Sequence, residues 1–206
     1  MVVNSFSPRY EILPGLLLGF HGTDQQIVEQ VLAGDCELEP SQNSYDWLGH
    51  GIYFWEYSPQ RALDFARQAS ANPRFTQGRI EVPAVIGAVI DPGRCLNFLE
   101  ASALDQLRES YKALKASNLT EWPKNVGGID KLQRHLDCAV IELLHAIREN
   151  AVTEQGQPLP PYQTVSGAFW EGSQLYPGAG FRQKNHVQLV VRDQSCIKGY
   201  FRPFLP

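Results

Sequence analysis

The chain has 206 residues, of which 43% are hydrophobic and 19% charged, and its net charge is −4. These values are typical of a single soluble globular domain, and the negative charge argues against broad electrostatic capture of nucleic acid or anionic membrane. The N-terminus lacks the charged and apolar regions of a signal peptide, and no later apolar run approaches a membrane span, so we expect a cytoplasmic protein without a membrane partner.

The cysteines are scattered and show neither the spacing of a zinc site nor that of a disulfide framework. We therefore predict buried, reduced thiols and no bound metal. The four positions are Cys36, Cys95, Cys138 and Cys196.

The first predicted unit is a strand followed by a helix. Residues 15–20 form a short apolar run of strand length, and His21-Gly22-Thr23 then form a polar turn. Such a turn places groups that can hydrogen-bond at the end of a buried strand, where sheets often bind ligands. Thr23 or Asp24 can cap the helix, and Gly34 can end it. Its apolar positions recur at helical spacing: Ile27, Val28, Val31 and Leu32.

The second predicted unit follows a polar loop over residues 35–43. Residues 52–55 form an aromatic strand with Tyr53 and Trp55 on one face and Phe54 on the other. Ser58-Pro59 then begins a helix over about 59–70. The aromatic faces suit a planar ligand, and they suit a hydrophobic core equally well.

In the middle of the chain, a run rich in Val and Ile predicts a strand within residues 79–91, and apolar residues at helical spacing then predict two amphipathic helices. Leu104, Leu107, Tyr111 and Leu114 form the apolar stripe of the first helix. We interpret the two helices as a layer inserted at about 98–150, and His135 and His145 within it as structural or surface residues. The stripe of the second helix comprises Leu132, Leu136, Val140, Leu143 and Ile147.

In the last part of the chain, short apolar runs predict three strands, over residues 162–169, 186–192 and 196–201. Residues 172–185 between the first two form a long loop that contains Gly and Pro, the kind of loop that often borders a site. The element pattern as a whole predicts the α+β class.

Three separated segments share one further pattern. Residues 18–23 read Leu-Gly-Phe-His-Gly-Thr, residues 49–54 read Gly-His-Gly-Ile-Tyr-Phe, and residues 188–193 read Gln-Leu-Val-Val-Arg-Asp. In this order they resemble three strands of the poly(ADP-ribose) polymerase-like ADP-ribosyltransferases, the third being the strand of the catalytic glutamate. The resemblance implies one ADP-ribosyltransferase-like domain over residues 1–206, with a split antiparallel sheet core and an inserted helical layer. It does not extend to residues 92–160.

The resemblance also implies a site that binds NAD as co-substrate. His21 would hydrogen-bond a ribose hydroxyl, the backbone of Gly22 would hold the nicotinamide carboxamide, and Thr23 would support the turn. Tyr53 would stack on the nicotinamide ring, with Phe65 on the ring's other side. An aromatic face attracts the cationic nicotinamide of NAD, and a glycine leaves its peptide groups unobstructed.

The match departs from the family at Gln188, which stands in the place of the catalytic glutamate. A carboxylate there orients the ribose and opposes the positive charge that grows as the glycosidic bond breaks, whereas Gln keeps the hydrogen bond and loses the charge. Glu171 is an alternative source of the missing carboxylate. A serine of the family that contacts the carboxamide is also replaced, by Arg61 or Ala62.

The resemblance implies an NAD-dependent mono-ADP-ribosyltransferase, a glycosyltransferase that modifies a protein or a nucleic acid. Its catalytic residues would be His21, Tyr53 and Gln188. A small stand-alone domain is the form of bacterial toxin or defence transferases, for which an antitoxin protein is a further expected partner. Two alternatives stay open at this point, an NAD glycohydrolase and a catalytically silent module that binds NAD or ADP-ribose.

Overall fold

The computed structural model describes residue 12 and residues 15–72, 80–153 and 155–205. Within these residues the chain has an α+β fold with four α-helices and a seven-stranded mixed sheet, which confirms the predicted class. The elements are β1 (Leu17–Asp24), α1 (Gln25–Ala33), β2 (Ile52–Glu56), α2 (Pro59–Ala71), β3 (Pro83–Ile90), β4 (Cys95–Asn97), α3 (Ala101–Ala116), β5 (Asn125–Val126), β6 (Gln133–Arg134), α4 (His135–Glu149), β7 (Thr164–Phe169), β8 (His186–Val191) and β9 (Ile197–Phe201).

The large sheet has the strand order β4-β7-β8-β2-β1-β3-β9, while β5 and β6 form a separate small hairpin. Neighbouring strands of the large sheet are antiparallel except β4 and β7, which are parallel. The prediction of an antiparallel core is therefore wrong at this edge. Parallel neighbours require a long crossover connection, and the segment that contains α3 and α4 provides it.

The first strand is longer than the sequence predicts, because His21-Gly22-Thr23 lie within β1 and not in a turn after it. These residues pair with β3 up to Asp24, which lies opposite Pro83. Pairing with a neighbouring strand has thus overridden the local polar pattern. Asp24 is also the N-cap of α1, since its side chain accepts a hydrogen bond from the Gln26 N–H at 2.8 Å.

The two faces of the sheet pack against different helices. On the α1 face, Val28 of α1 packs with Phe54 and Ile86 of the sheet. On the other face, which we call the α2 face, Ala62 and Leu63 of α2 pack with Phe20, Trp55 and Val85. Farther along the α2 face, α3 and α4 cover β4, β7 and β8 through a cluster that includes Ala103, Leu144, Leu96, Val165 and Val190.

Helices α1 and α2 lie where the sequence places them. Helix α1 ends at Gly34, whose φ of 80° lies in the left-handed region that glycine adopts without strain. Helix α2 begins at Pro59 as predicted, although the side chain of Ser58 makes no capping hydrogen bond. The fixed φ of proline is already suited to the first helical turn, which accounts for the start at this residue.

Both predicted helices of the insertion form and pack against each other, with the Ser110 hydroxyl donating to the Val140 carbonyl at 2.7 Å. Leu132 lies outside α4, which begins at His135. His145 is buried beside the Tyr162 ring, and burial lowers its pKa to about 3. It is therefore a neutral core histidine, as the sequence interpretation has it.

The last two strands do not pair with each other. Strand β8 lies between β2 and β7, whereas β9 pairs with β3 at the far edge of the sheet. This arrangement places β8, which carries Gln188, inside the sheet and next to the aromatic strand β2.

All four cysteines are free, and Cys95, Cys138 and Cys196 are buried. Burial raises the pKa of Cys95 and Cys196 to about 11 and that of Cys138 to about 12. The prediction of reduced, buried thiols is confirmed for these three, and Cys36 is partly exposed. Among the described helices, none combines the length and apolar character needed to cross a membrane.

Candidate functional site between strands β1, β2 and β8

Three neighbouring strands carry the residues that the sequence singles out. His21 lies on β1, Tyr53 on β2 and Gln188 on β8, and these strands are adjacent in the sheet. In the register, Trp55 of β2 lies opposite Phe20 of β1 on one side and opposite Gln188 on the other. Segments far apart in sequence thus meet at the centre of the sheet.

Strands β1 and β2 separate after a short stretch of pairing. They pair only at Gly19 opposite Glu56 and at Phe20 opposite Trp55, whereas β1 pairs with β3 along its whole length. Beyond the gap, an antiparallel bridge joins Ser41 to Gly51. The sheet is therefore split between the C-terminal half of β1 and the N-terminal half of β2.

His21 bridges this gap with its imidazole. Its Nδ1 lies 2.8 Å from the Tyr53 carbonyl oxygen, and since a carbonyl only accepts, Nδ1 carries the proton. Burial lowers the pKa of His21, so the ring is neutral and Nε2 keeps a lone pair. The ring lies 5.9 Å from that of Phe54, on the α1 face of the sheet, as expected for a residue next to Phe20 in the strand.

Gly22 follows His21 at the edge of the gap and lies directly beneath α2. A Cβ at this position would be 2.0 Å from the Ala62 carbonyl oxygen, so no larger residue fits. The Leu18 carbonyl accepts a hydrogen bond from the Tyr57 N–H, on the side of β1 that faces β2. Backbone groups point to the same side at every second residue of a strand, and Gly22 follows Leu18 by four residues. The N–H and C=O of Gly22 therefore face the gap. Thr23 lies opposite Ala84 and is partly buried.

Tyr53 lies on the same face as Gln188, with its ring held in place by the preceding loop. Its hydroxyl accepts from the Leu48 N–H at 3.0 Å and donates to the Gly49 carbonyl at 2.7 Å. Burial, reinforced by the charge of Asp46, raises the pKa of Tyr53 well above its ordinary value. The phenol is therefore neutral and its hydroxyl has a structural function.

Gln188 is buried, with 5% of its surface exposed. Its Oε1 accepts from the Trp47 indole Nε1 at 2.5 Å, and the Trp47 ring lies over Gly167, where a Cβ would approach it to 3.1 Å. The centre of β8 thus carries a buried, neutral amide that is oriented by an indole.

An aromatic row, which the sequence does not predict, runs across the α2 face beside Gln188. It consists, in order, of Phe65, Trp55, His186, Phe169 and Trp47, whose successive ring centroids are 5.1, 6.2, 5.7 and 4.9 Å apart. Strand alternation predicts part of this row, because residues two apart share a face: Trp55 lies on the same face as Tyr53, and His186 on the same face as Gln188. Phe65 is 37% exposed, and its ring contact is with Trp55.

Glu171 has its carboxylate fully engaged by two cations. Its Oε2 lies 3.2 Å from Arg61 on α2, and its Oε1 lies 3.1 Å from Lys184. The pair with Arg61 connects the loop between β7 and β8 to the first turn of α2, and the pair with Lys184 joins the two ends of this loop. In this arrangement Glu171 does not provide a free carboxylate beside Gln188.

His50 belongs to a second polar cluster, at the ends of β2 and β8. Its ring lies 3.6 Å from Glu142, and Glu142 also binds Arg192 at 2.7 Å. A polar cleft of about 500 Å³ opens here, and an apolar cleft of about 380 Å³ lies between α3 and α4. His21, Tyr53 and Gln188 line neither of these two clefts. Among the described residues, no group of three or more His, Cys, Asp or Glu side chains could hold a metal ion.

Comparisons of the chain with protein-family models, with curated proteins and with solved structures give no match. Its function must therefore be inferred from its own residues and from the geometry of the sheet.

Proposed function

We propose that the chain is an NAD-dependent mono-ADP-ribosyltransferase that binds NAD at the gap between β1 and β2. One observation carries the proposal. The three segments whose sequences resemble the poly(ADP-ribose) polymerase-like transferases lie side by side in the strand order β8-β2-β1, and the sheet splits between β1 and β2 beside His21 and Gly22.

The gap offers complementary groups to a dinucleotide. The unprotonated Nε2 of His21 can accept a hydrogen bond from a ribose hydroxyl, because Nδ1 is committed to the Tyr53 carbonyl. The Gly22 N–H can donate to the carboxamide oxygen and the Gly22 C=O can accept from the carboxamide NH₂ group, with Thr23 supporting this strand end. In this proposal the nicotinamide ring lies between Tyr53 and Phe65, whose faces attract its positive charge.

The reaction breaks the bond between the ribose C1′ and the nicotinamide nitrogen. The bonding electron pair leaves with nicotinamide through an oxocarbenium-like transition state at C1′, while the acceptor forms its bond to C1′. Gln188 would orient the ribose through its Oε1, which Trp47 already holds in place. The partial negative charge of an amide oxygen opposes the developing cation less than a carboxylate does, so we expect slow transfer of single ADP-ribose groups and no polymer.

Incubation with NAD carrying labels on its nicotinamide and adenine halves tests this proposal. We expect free nicotinamide together with an adenine label that stays on protein or nucleic acid. Tyr53→Ala and Gln188→Ala should lose both products while remaining folded. Free ADP-ribose in place of attached label would indicate an NAD glycohydrolase, and no nicotinamide release at all would contradict enzymatic function.

The burial of a neutral Gln188 beneath Trp47 favours a second candidate, a silent module that binds NAD or ADP-ribose. Such a module is stabilised against heat by its ligand, because the ligand binds only the folded state. A rise in Tm with NAD and with ADP-ribose, without any release of nicotinamide, would identify this second candidate.

A further inference from the structure

We propose that His186 is the general base of the transfer and that, together with the indole N–H of Trp55, it forms the acceptor subsite for a hydroxyl group. The inference rests on the proposed function and assigns the acceptor side of the same site. It answers a question that Gln188 raises, since an amide cannot take a proton from the acceptor.

His186 lies next to the reacting centre in this proposal. It precedes Gln188 by two residues on β8, so both side chains lie on the α2 face, with their Cα atoms about 7 Å apart. Its ring is 6.2 Å from Trp55 and 5.7 Å from Phe169. Whereas Gln188 is buried, His186 is partly exposed and can be reached by an acceptor.

The hydrogen bonds of His186 leave one nitrogen able to accept a proton. Nδ1 donates to the Lys184 carbonyl at 2.7 Å, which leaves the lone pair on Nε2. Burial is the main cause that lowers the pKa of His186, and the charges of Arg61 and Lys184 lower it further. The hydrogen bond to the Lys184 carbonyl and the charge of Glu171 raise it in part. The ring is thus a neutral base at pH 7.

The other titratable groups near Gln188 are already committed. Glu171 has each carboxylate oxygen in an ion pair, and the Tyr53 hydroxyl both accepts and donates a hydrogen bond. His21 lies on the α1 face. Asp46 accepts from the Asn43 N–H at 3.0 Å, and burial raises its pKa. Of these groups and His186, only His186 is a partly exposed base on the α2 face that no ion pair engages.

Trp55 supplies the complementary donor. Its side chain is 6% exposed, and its Nε1 has no hydrogen-bond partner among the described residues. A buried donor without a partner destabilises the fold, and an incoming acceptor atom that pairs with the donor removes this cost. In the proposed subsite, the acceptor hydroxyl accepts a hydrogen bond from Trp55 Nε1 and donates one to His186 Nε2.

The step balances without any further reactant. The hydroxyl oxygen forms its bond to C1′ as the bond from C1′ to nicotinamide breaks, neutral nicotinamide leaves with the electron pair, and the hydroxyl proton passes to His186 Nε2. The imidazolium then returns its proton to solvent. Water and an alcohol satisfy the same chemistry, so methanol serves as a small probe for the hydroxyl acceptor.

The test measures nicotinamide release from NAD in water and in water containing methanol, with the methyl riboside of ADP-ribose as the transfer product. His186→Asn keeps a donor near the Nδ1 position and removes the Nε2 base. We expect it to slow both reactions at least 100-fold with little change in the Kd of NAD. Trp55→Phe keeps an aromatic ring and should slow both about tenfold. The matched controls are His135→Asn, at the start of α4, and Trp122→Phe, in the segment before α4, and both should leave the two rates unchanged.

Two further readouts separate catalysis from folding. The wild-type rate should fall as the pH drops below the pKa of His186, which burial lowers from its ordinary value, because the protonated ring cannot act as a base. His186→Asn should lack this fall. Imidazole added to His186→Ala should restore part of the rate. If His186→Asn releases nicotinamide at the wild-type rate and with the wild-type pH profile, the inference about His186 is wrong and the proposed function still stands. If the wild type releases no nicotinamide, the proposed function is wrong as well.

Discussion

Gln188 limits the chemistry at the residue scale, because it offers a dipole where a carboxylate would offer a full charge. We predict that Gln188→Glu raises the rate of nicotinamide release at least tenfold, since the new carboxylate opposes the cation at C1′ and keeps the Trp47 donor. The variant should also be less stable by about 1–3 kcal/mol, because the charge is placed at a buried position.

Nicotinamide release at pH 7.5 and urea unfolding measure these two effects. The matched control is Gln68→Glu, at an exposed position of α2, which should change neither quantity. An unchanged rate in a folded Gln188→Glu variant would argue against a catalytic role for this residue.

Gly22 is the second residue whose identity the structure explains. A Cβ would meet the Ala62 carbonyl at 2.0 Å, and both groups belong to backbone that cannot rotate away. We predict that Gly22→Ala destabilises the fold by about 3 kcal/mol, at the upper end of the usual cost of overpacking. Gly199→Ala on β9, where nothing lies within 4 Å, is the control for urea unfolding and should cost far less. Equal stability of the two variants would contradict the close approach of α2 to β1.

At the scale of elements, the loop between β7 and β8 is fastened to α2 through Glu171. We predict that Glu171→Gln lowers stability by about 1–2 kcal/mol, because Arg61 and Lys184 lose their ion pairs with Glu171 and Arg61 is only 16% exposed. Amide hydrogen exchange in the loop should become faster, since the loop opens more easily.

The control for this variant is Glu109→Gln, which removes an ion pair with Lys112 on the exposed face of α3 and should change stability by less than about 0.5 kcal/mol. A Glu171→Gln variant with unchanged stability and no nicotinamide release would instead identify Glu171 as the catalytic carboxylate.

The elements differ in how far the sequence predicts them. Helices α1 and α2 and strands β2 and β8 follow from local periodicity and from residues such as Gly34 and Pro59 that act on the backbone directly. The second half of β1 does not, because its polar sequence resembles a turn and only pairing with β3 makes it a strand. The parallel pair of β4 and β7 depends on a crossover through the helical layer, which no local pattern specifies.

At the scale of the whole molecule, the candidate site arises from strand order. Resemblance can single out His21, Tyr53 and Gln188, but their placement on adjacent strands, with His21 on the opposite face of the sheet from the other two, and the gap between β1 and β2 depend on long-range pairing. The aromatic row likewise joins rings from α2, three strands and a loop, so alternation along any one strand indicates the face of a single ring and not which rings are neighbours. The placement of His21 on the α1 face follows from the register of β1 and β2.

A crystal structure of the chain with NAD tests the central claim most directly. We predict a dinucleotide in the gap between β1 and β2, with a ribose hydroxyl within hydrogen-bonding distance of His21 Nε2 and the nicotinamide ring between Tyr53 and Phe65. NAD bound at another surface, or no bound NAD in crystals grown with millimolar NAD, would contradict the claim that NAD binds in this gap.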